Sequence, residues 1–205
     1  MQTNSFFKKP WFFAALLCLS IASTRAASVT NADNTTTLNL GGSWVGGTAA
    51  GAGDVAVWNN VVQANTTKAL GANLSWSGIQ ILDPLGLISV SAGNTLTLGT
   101  AGVDLSRATN SLTLSCPVVL GANQTWNVTN GLTLTAGGVV SGAGVLTLNS
   151  GANSGTIVLS TANTYSSGTF INGGIVQPAS ATSFGPAAGV ITNNGATLLF
   201  STLPA

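Results

Sequence analysis

Val139 to Gly174 reads VVSGAGVLTLNSGANSGTIVLSTANTYSSGTFINGG, and one physical unit recurs along it: a few alternating apolar and Thr/Ser residues, then a Gly/Asn/Ser turn. Alternation marks a strand that buries one face. Val145-Leu146-Thr147-Leu148, Thr156-Ile157-Val158-Leu159 and Thr169-Phe170-Ile171-Asn172 fit it, while Gly151-Ala152-Asn153 and Asn172-Gly173-Gly174 are turns built from residues that tolerate positive φ. The stretch therefore predicts short strands joined by tight corners.

Composition says why such strands would stack. Of 205 residues only 4% are charged and 45% are hydrophobic, against roughly 25% charged residues in an ordinary soluble domain. The apolar content is enough to drive collapse, so the chain reads as folded rather than disordered. In a parallel β-solenoid, inward Leu, Ile and Val form ladders from coil to coil and outward Thr, Ser and Asn are solvated. Like charges at stacked positions would lie about 4.8 Å apart and repel, which accounts for their scarcity.

Internal similarity supports a repeat architecture. Leu70-Gly71-Ala72-Asn73-Leu74-Ser75-Trp76 returns as Leu120-Gly121-Ala122-Asn123-Gln124-Thr125-Trp126, and Leu96-Thr97-Leu98 as Leu146-Thr147-Leu148. Apolar-Thr-apolar cores begin at Leu96, Leu112, Leu132 and Leu146, a spacing that suits one coil of such a rod. A βαβ sheet needs helical crossovers of a dozen or more residues, and no apolar stripe at helical spacing is present. An antiparallel sandwich of short strands fits the same spacing and stays open.

The first 26 residues read as a secretory signal peptide: Lys8 and Lys9, an apolar run from Trp11 to Ala22, and small residues at Thr24 and Ala26 before a cut. The run is short of the roughly 20 residues a membrane span needs, and no later stretch qualifies. Cys18 follows Leu17 rather than a small residue, which disfavours a lipid anchor. Residues 27–60 form an N-terminal cap region in this reading, and 61–205 the β-helix itself. In the cap, Trp44 and Trp58 are candidates either for a sugar-stacking platform or, more simply, for covering the open first coil.

Downstream of Ala26 two cations, Lys68 and Arg107, face four anions, Asp33, Asp54, Asp83 and Asp104, a formal charge of −2. With no basic patch, nucleic-acid binding is excluded as an expectation. The single remaining cysteine, Cys116, has no partner for an internal disulfide and sits in core-like sequence, so it reads as a buried inert thiol.

The chain holds no histidine and no glutamate, which removes His triads, Glu acid/base pairs and most zinc sites. Four aspartates remain. Stacked coils could bring two of them into one row, as glycoside hydrolysis requires, and Arg107 could assist. Asp83-Pro84, however, reads as a turn, and no aspartate lies in an assignable motif. The Gly-x-Gly occurrences, including Gly142-Ala143-Gly144, open no helix after a strand, so a dinucleotide site fails its context. No catalytic residue, metal site or cofactor is assigned.

Ser141-Gly142-Ala143-Gly144-Val145-Leu146-Thr147-Leu148 followed by Thr161-Ala162-Asn163-Thr164-Tyr165-Ser166-Ser167-Gly168-Thr169-Phe170-Ile171-Asn172-Gly173-Gly174 resembles the bacterial autotransporter-associated β-strand repeat. That repeat runs as a G-x-L-T-L strand, an A-N-T-Y-x-G-G-T turn and strand, and I-N-x-G-x-L. The match covers about residues 139–184 and departs at Ser167, which replaces the first Gly of the pair, and at Gly174-Ile175-Val176. The resemblance implies a right-handed parallel β-helix and an exported, surface or secreted passenger of the bacterial cell. It implies no chemistry. Passengers of that type often precede a translocating barrel; this sequence stops at Ala205 without one, which reads as a truncated copy or another export route.

The combined expectation is all-β: a single right-handed parallel β-helix behind a helical signal peptide, exported and non-enzymatic, contacting glycans or cell surfaces through Thr, Asn and Ser ladders. The alternative is a carbohydrate-active β-helix enzyme using Asp54, Asp83 or Asp104.

Overall fold

The computed structural model describes residues 26–180, 182–186 and 189–200. The expected signal peptide falls outside them except for its last residue, Ala26, as does the chain's end at 201–205. Among the described residues there are seventeen strands and one helical element, a single 3-10 turn at Gly41–Ser43. No helix there is long and apolar enough to cross a membrane.

The strands pair in parallel, and the chain winds into a β-solenoid of about six turns. The antiparallel sandwich is thereby excluded. The middle turns visit three strand columns, the third of them made by residues 74–76, 96–98, 118–120 and 140–142. One full turn, for example, contributes residues 78–81 to the first column, Ile88–Val90 to the second and residues 96–98 to the third, before re-entering the first at residues 102–105. The first column runs from Ser28–Thr30 up to Ile191–Asn193, and the second from Thr67–Lys68 up to Thr197–Leu198.

Register fixes the length of a turn. Leu74 pairs with Leu96 and Leu96 with Val118, 22 residues each time; Val55 pairs with Gly78 at 23, and Gly78 with Gly102 at 24. The similarity at an offset of fifty is therefore not the coil repeat. Trp76 stands in the third column, paired with Leu98, whereas Trp126 stands in the first, paired with Val103 and Leu148. What the two copies share is a corner. Asn73 Oδ1 accepts the N–H of Thr95 and Asn123 Oδ1 that of Val145, both at 2.9 Å and both one turn on. One device thus serves two different corners of the rod.

Inward positions make continuous apolar columns. Ile88, Leu112, Leu134, Ile157 and Val176 are paired in succession and all buried, and the half-buried Leu74 leads a second such series through the buried Leu96, Val118 and Val140. Burying one such side chain contributes about 1.5–3 kcal/mol, so the ladders hold the rod together. Outward positions carry Ser89, Thr113 and Thr135 in register on the second column. The sheet bends between the third and first columns where Gly78 and Gly102 stack. Gly102 has φ +62, and a Cβ there would run into the carbonyl oxygen of Thr125 in the next turn, so only glycine fits the bend.

The two ends of the rod differ. At the start, residues 43–45 fold back antiparallel against residues 30–32, at the end of the strand Ser28–Thr30: Ala32 N–H donates to Ser43 O at 2.8 Å and Val45 N–H to Thr30 O at 2.9 Å. That fold-back satisfies backbone groups that an open edge would present. At the far end Val190, Ile191, Leu199 and Phe200 are exposed.

Candidate functional site

The solenoid does not bring the four aspartates together. Asp33 accepts the N–H of Asn65 at 2.8 Å and that of Ala64 at 3.2 Å, and these bonds, Asn65 first, hold its carboxyl below the usual range. Asp54 accepts from Gly51 N–H at 2.8 Å and Asp83 from Asn60 N–H at 3.0 Å. Asp104 accepts from Ser106 N–H at 2.9 Å and from the Gln80 amide at 3.1 Å. Each carboxylate closes a turn or ties one coil to the next, the use Asp finds at corners. Arg107 is exposed. Among the described residues no three His, Cys, Asp or Glu side chains come close enough to hold a metal ion.

Trp44 and Trp58 offer no sugar platform, because both are buried. With Trp76 they form an edge-to-face triad inside the first turns, ring centroids 5.7 to 6.1 Å apart. The Gly-rich segment around Trp44 carries no period from which its inward direction could be read. Cys116 is a buried free thiol, and burial pushes its pKa up to about 11.

The resemblance motif proves architectural in geometry. Asn163 is buried: its Oδ1 accepts the N–H of Val140 at 2.8 Å and its Nδ2 donates to Ser183 O at 2.6 Å. The Tyr165 ring is also buried, with its hydroxyl 2.7 Å from Thr169 Oγ1. Asn163 clamps three successive turns, and Tyr165 braces the corner that leads into Thr169.

What the fold does present to solvent is the outer side of the first column. Thr125, Thr147, Phe170 and Thr192 stand in one register row, turn above turn. Two residues further along each strand come Asn127, Asn149, Asn172 and Asn194, and Asn127 continues downward through Asp104 to Gln80. Asn149 turns inward at φ +50 and is fully buried, whereas Asn194 Nδ2 donates to Asn172 Oδ1 at 2.6 Å. The result is a flat strip of hydroxyls and amides, nearly without charge, with a rung about every 4.8 Å. Phe170, 42% exposed, is the aromatic face on it. Alternation within Thr169-Phe170-Ile171-Asn172 is the signal that points Phe170 outward, whereas the tryptophans of the first turns point inward.

An open groove of about 350 Å³ lies between Val158, Gln177, Pro178, Ala179, Leu199 and Phe200 near the far end. It carries no titratable side chain. Lys68, one of the two cations downstream of Ala26, is buried at 2% exposure, its amine surrounded by oxygens of the first turn.

No protein-family model matches the chain, and neither curated proteins nor solved structures show a match to it.

Proposed function

We propose that the protein is an exported, non-enzymatic β-solenoid of the autotransporter-associated repeat type, serving as a surface or matrix scaffold that contacts neutral glycans through the Thr/Asn strip. The observation that carries this reading is the row Thr125, Thr147, Phe170 and Thr192 beside Asn127, Asn172 and Asn194. Hydroxyls and amides donate and accept equally well, as sugar hydroxyls do, and an aromatic face suits the apolar face of a pyranose ring. Repetition along the rod converts weak single contacts into avidity. The winding is right-handed in this proposal, supported by the near-universal right-handedness of crossovers between parallel strands of one sheet. Export rests on the basic, apolar and small-residue pattern of residues 1–26.

The carbohydrate-active alternative requires two carboxyl groups roughly 5 to 9.5 Å apart across the scissile bond. No observation favours it, since register sets Asp104 beside Gln80 and Asn127, and the other aspartates are bonded to backbone N–H groups. The test is retention of the protein on a panel of immobilised neutral polysaccharides. Binding that is lost in Phe170→Ala and kept in Asp54→Ala, Asp83→Ala and Asp104→Ala supports the proposal. Polysaccharide cleavage that disappears in an Asp variant overturns it, as does a complete lack of retention.

A further inference from the structure

Lys68 occupies an inward position of the second column, where the higher turns carry Val90, Leu114, Ala136 and Leu159. A lysine there is costly: a buried ammonium needs compensation. The partners of Nζ are neutral oxygens of the first turn. It donates to Ala32 O at 3.2 Å, to the backbone oxygen of Asn34, and to Asn34 Oδ1 at 2.9 Å. Burial lowers its pKa, and the charge of Asp33 acts the other way, so the neutral amine is nearer to hand than on an exposed lysine.

The amide of Asn34 is pinned on both sides. Oδ1 accepts a second hydrogen bond, from Thr36 N–H at 3.0 Å, and Nδ2 donates to Gly42 O at 2.7 Å. Thr36 N–H therefore stays on the oxygen where negative charge would collect when the amine now bonded to Oδ1 turns to attack Cγ. A desolvated lysine amine is such a nucleophile.

We propose that Lys68 and Asn34 form an intramolecular isopeptide bond that locks the first turn of the rod to the second. The Lys68 ammonium loses one proton through solvent to the Asp33 carboxylate, whose charge acts on it, and the freed lone pair forms a bond from Nζ to Cγ of Asn34. A second proton passes from Nζ to Nδ2, and the bond from Cγ to Nδ2 breaks. Ammonia leaves, takes the proton back from Asp33 and departs as ammonium. Nothing is oxidised or reduced and no co-reactant enters. The product ties residues 34 positions apart, at the end of the rod where residues 43–45 fold back.

Intact-mass spectrometry of the purified folded chain, its N-terminus established by sequencing, tests this directly. The expected mass is lower than the sequence requires by one ammonia, with a branched peptide joining the Asn34 and Lys68 fragments after proteolysis. Lys68→Arg and Asn34→Ala should carry their full sequence masses, and Asp33→Asn should form the link more slowly or not at all. The parent protein alone decides the matter if a variant fails to fold. Full mass in the parent overturns the proposal. Loss of ammonia without the branched peptide overturns it too, because succinimide formation at an Asn-Gly pair such as Asn130-Gly131 gives the same mass change.

Discussion

Asn163 reaches across a full turn of the rod to take the backbone N–H of Val140 on its Oδ1 at 2.8 Å, 23 residues away in sequence. The same clip recurs between Asn149 and Val128, Asn127 and Ser150, and Asn123 and Val145, each at 2.9 Å. At a corner the strand ladder is interrupted and backbone N–H groups lose their partners. A short side chain with both an acceptor and a donor pair restores them without adding charge, which is why asparagine rather than aspartate fills these places.

Asn163→Ala is expected to destabilise the fold by about 1–3 kcal/mol, because it strands the Val140 N–H and the Ser183 carbonyl in the interior. Asn194→Ala, at an exposed clip in the last turn, should change stability by no more than about 0.5 kcal/mol. Urea titration of the two variants checks the contrast, and equal effects would refute the assignment of the buried clips.

The tryptophan triad offers a sharper comparison. Trp76 Nε1 donates to Ala50 O at 3.1 Å, and Trp44 Nε1 to Leu38 O at 2.9 Å, but the buried Trp58 Nε1 has no partner. Trp76→Phe loses a bond and leaves Ala50 O short of a donor, whereas Trp58→Phe removes an orphan donor that costs about 1–3 kcal/mol. Both lose similar packing. The melting temperature of Trp58→Phe should therefore exceed that of Trp76→Phe.

Gly102→Ala should be the most damaging single-methyl change in the sheet, since both φ +62 and the Thr125 carbonyl oppose it. Gly131, at φ +81 with nothing near its would-be Cβ, meets only the conformational penalty of about 1–2 kcal/mol. Parallel melts of Gly102→Ala and Gly131→Ala should rank in that order, and failure of Gly102→Ala to fold while Gly131→Ala folds counts the same way.

Much of this was legible because the physics repeats. Leu96-Thr97-Leu98 and Thr156-Ile157-Val158-Leu159 announce strands and their inward faces, and the scarcity of charge announces parallel stacking in register. The turn length was hidden, since Leu70–Asn73 and Leu120–Asn123 share a corner chemistry while leading into different columns. The depth of Lys68 was hidden for a different reason. Thr67-Lys68 is only two residues long, too short to show alternation, and its amine is accommodated by carbonyls some 34 residues earlier that no local pattern reveals. Phe170 lies in a strand that alternation already marks, Thr169-Phe170-Ile171-Asn172, and its outward direction follows from that pattern alone.

Alkaline stability should report on Cys116 and Tyr165 together. Burial raises the thiol from its ordinary 9.0 to about 11 and the Tyr165 phenol from 10.0 to about 12. A raised folded pKa means that the native state holds protons the unfolded chain has already released, so stability falls as pH climbs from 9 toward 12. Where its amine is not yet joined to Asn34, Lys68 has the opposite sign: its lowered pKa leaves the native state with fewer protons than the unfolded chain just below 10.5, and stability gains there. Two groups against one predict a net fall. Chemical denaturation at intervals from pH 7 to pH 11 should show the midpoint declining above pH 9, and the decline should be shallower in Cys116→Ala than in the parent. A thiol reagent at pH 8 should leave Cys116 unmodified in the native protein and label it at once in denaturant, because the thiolate is the reactive form and burial withholds it. Rapid labelling of the native protein would show that the interior beneath Leu114 and Val118 is open to solvent, and the closed apolar column there would have to be abandoned.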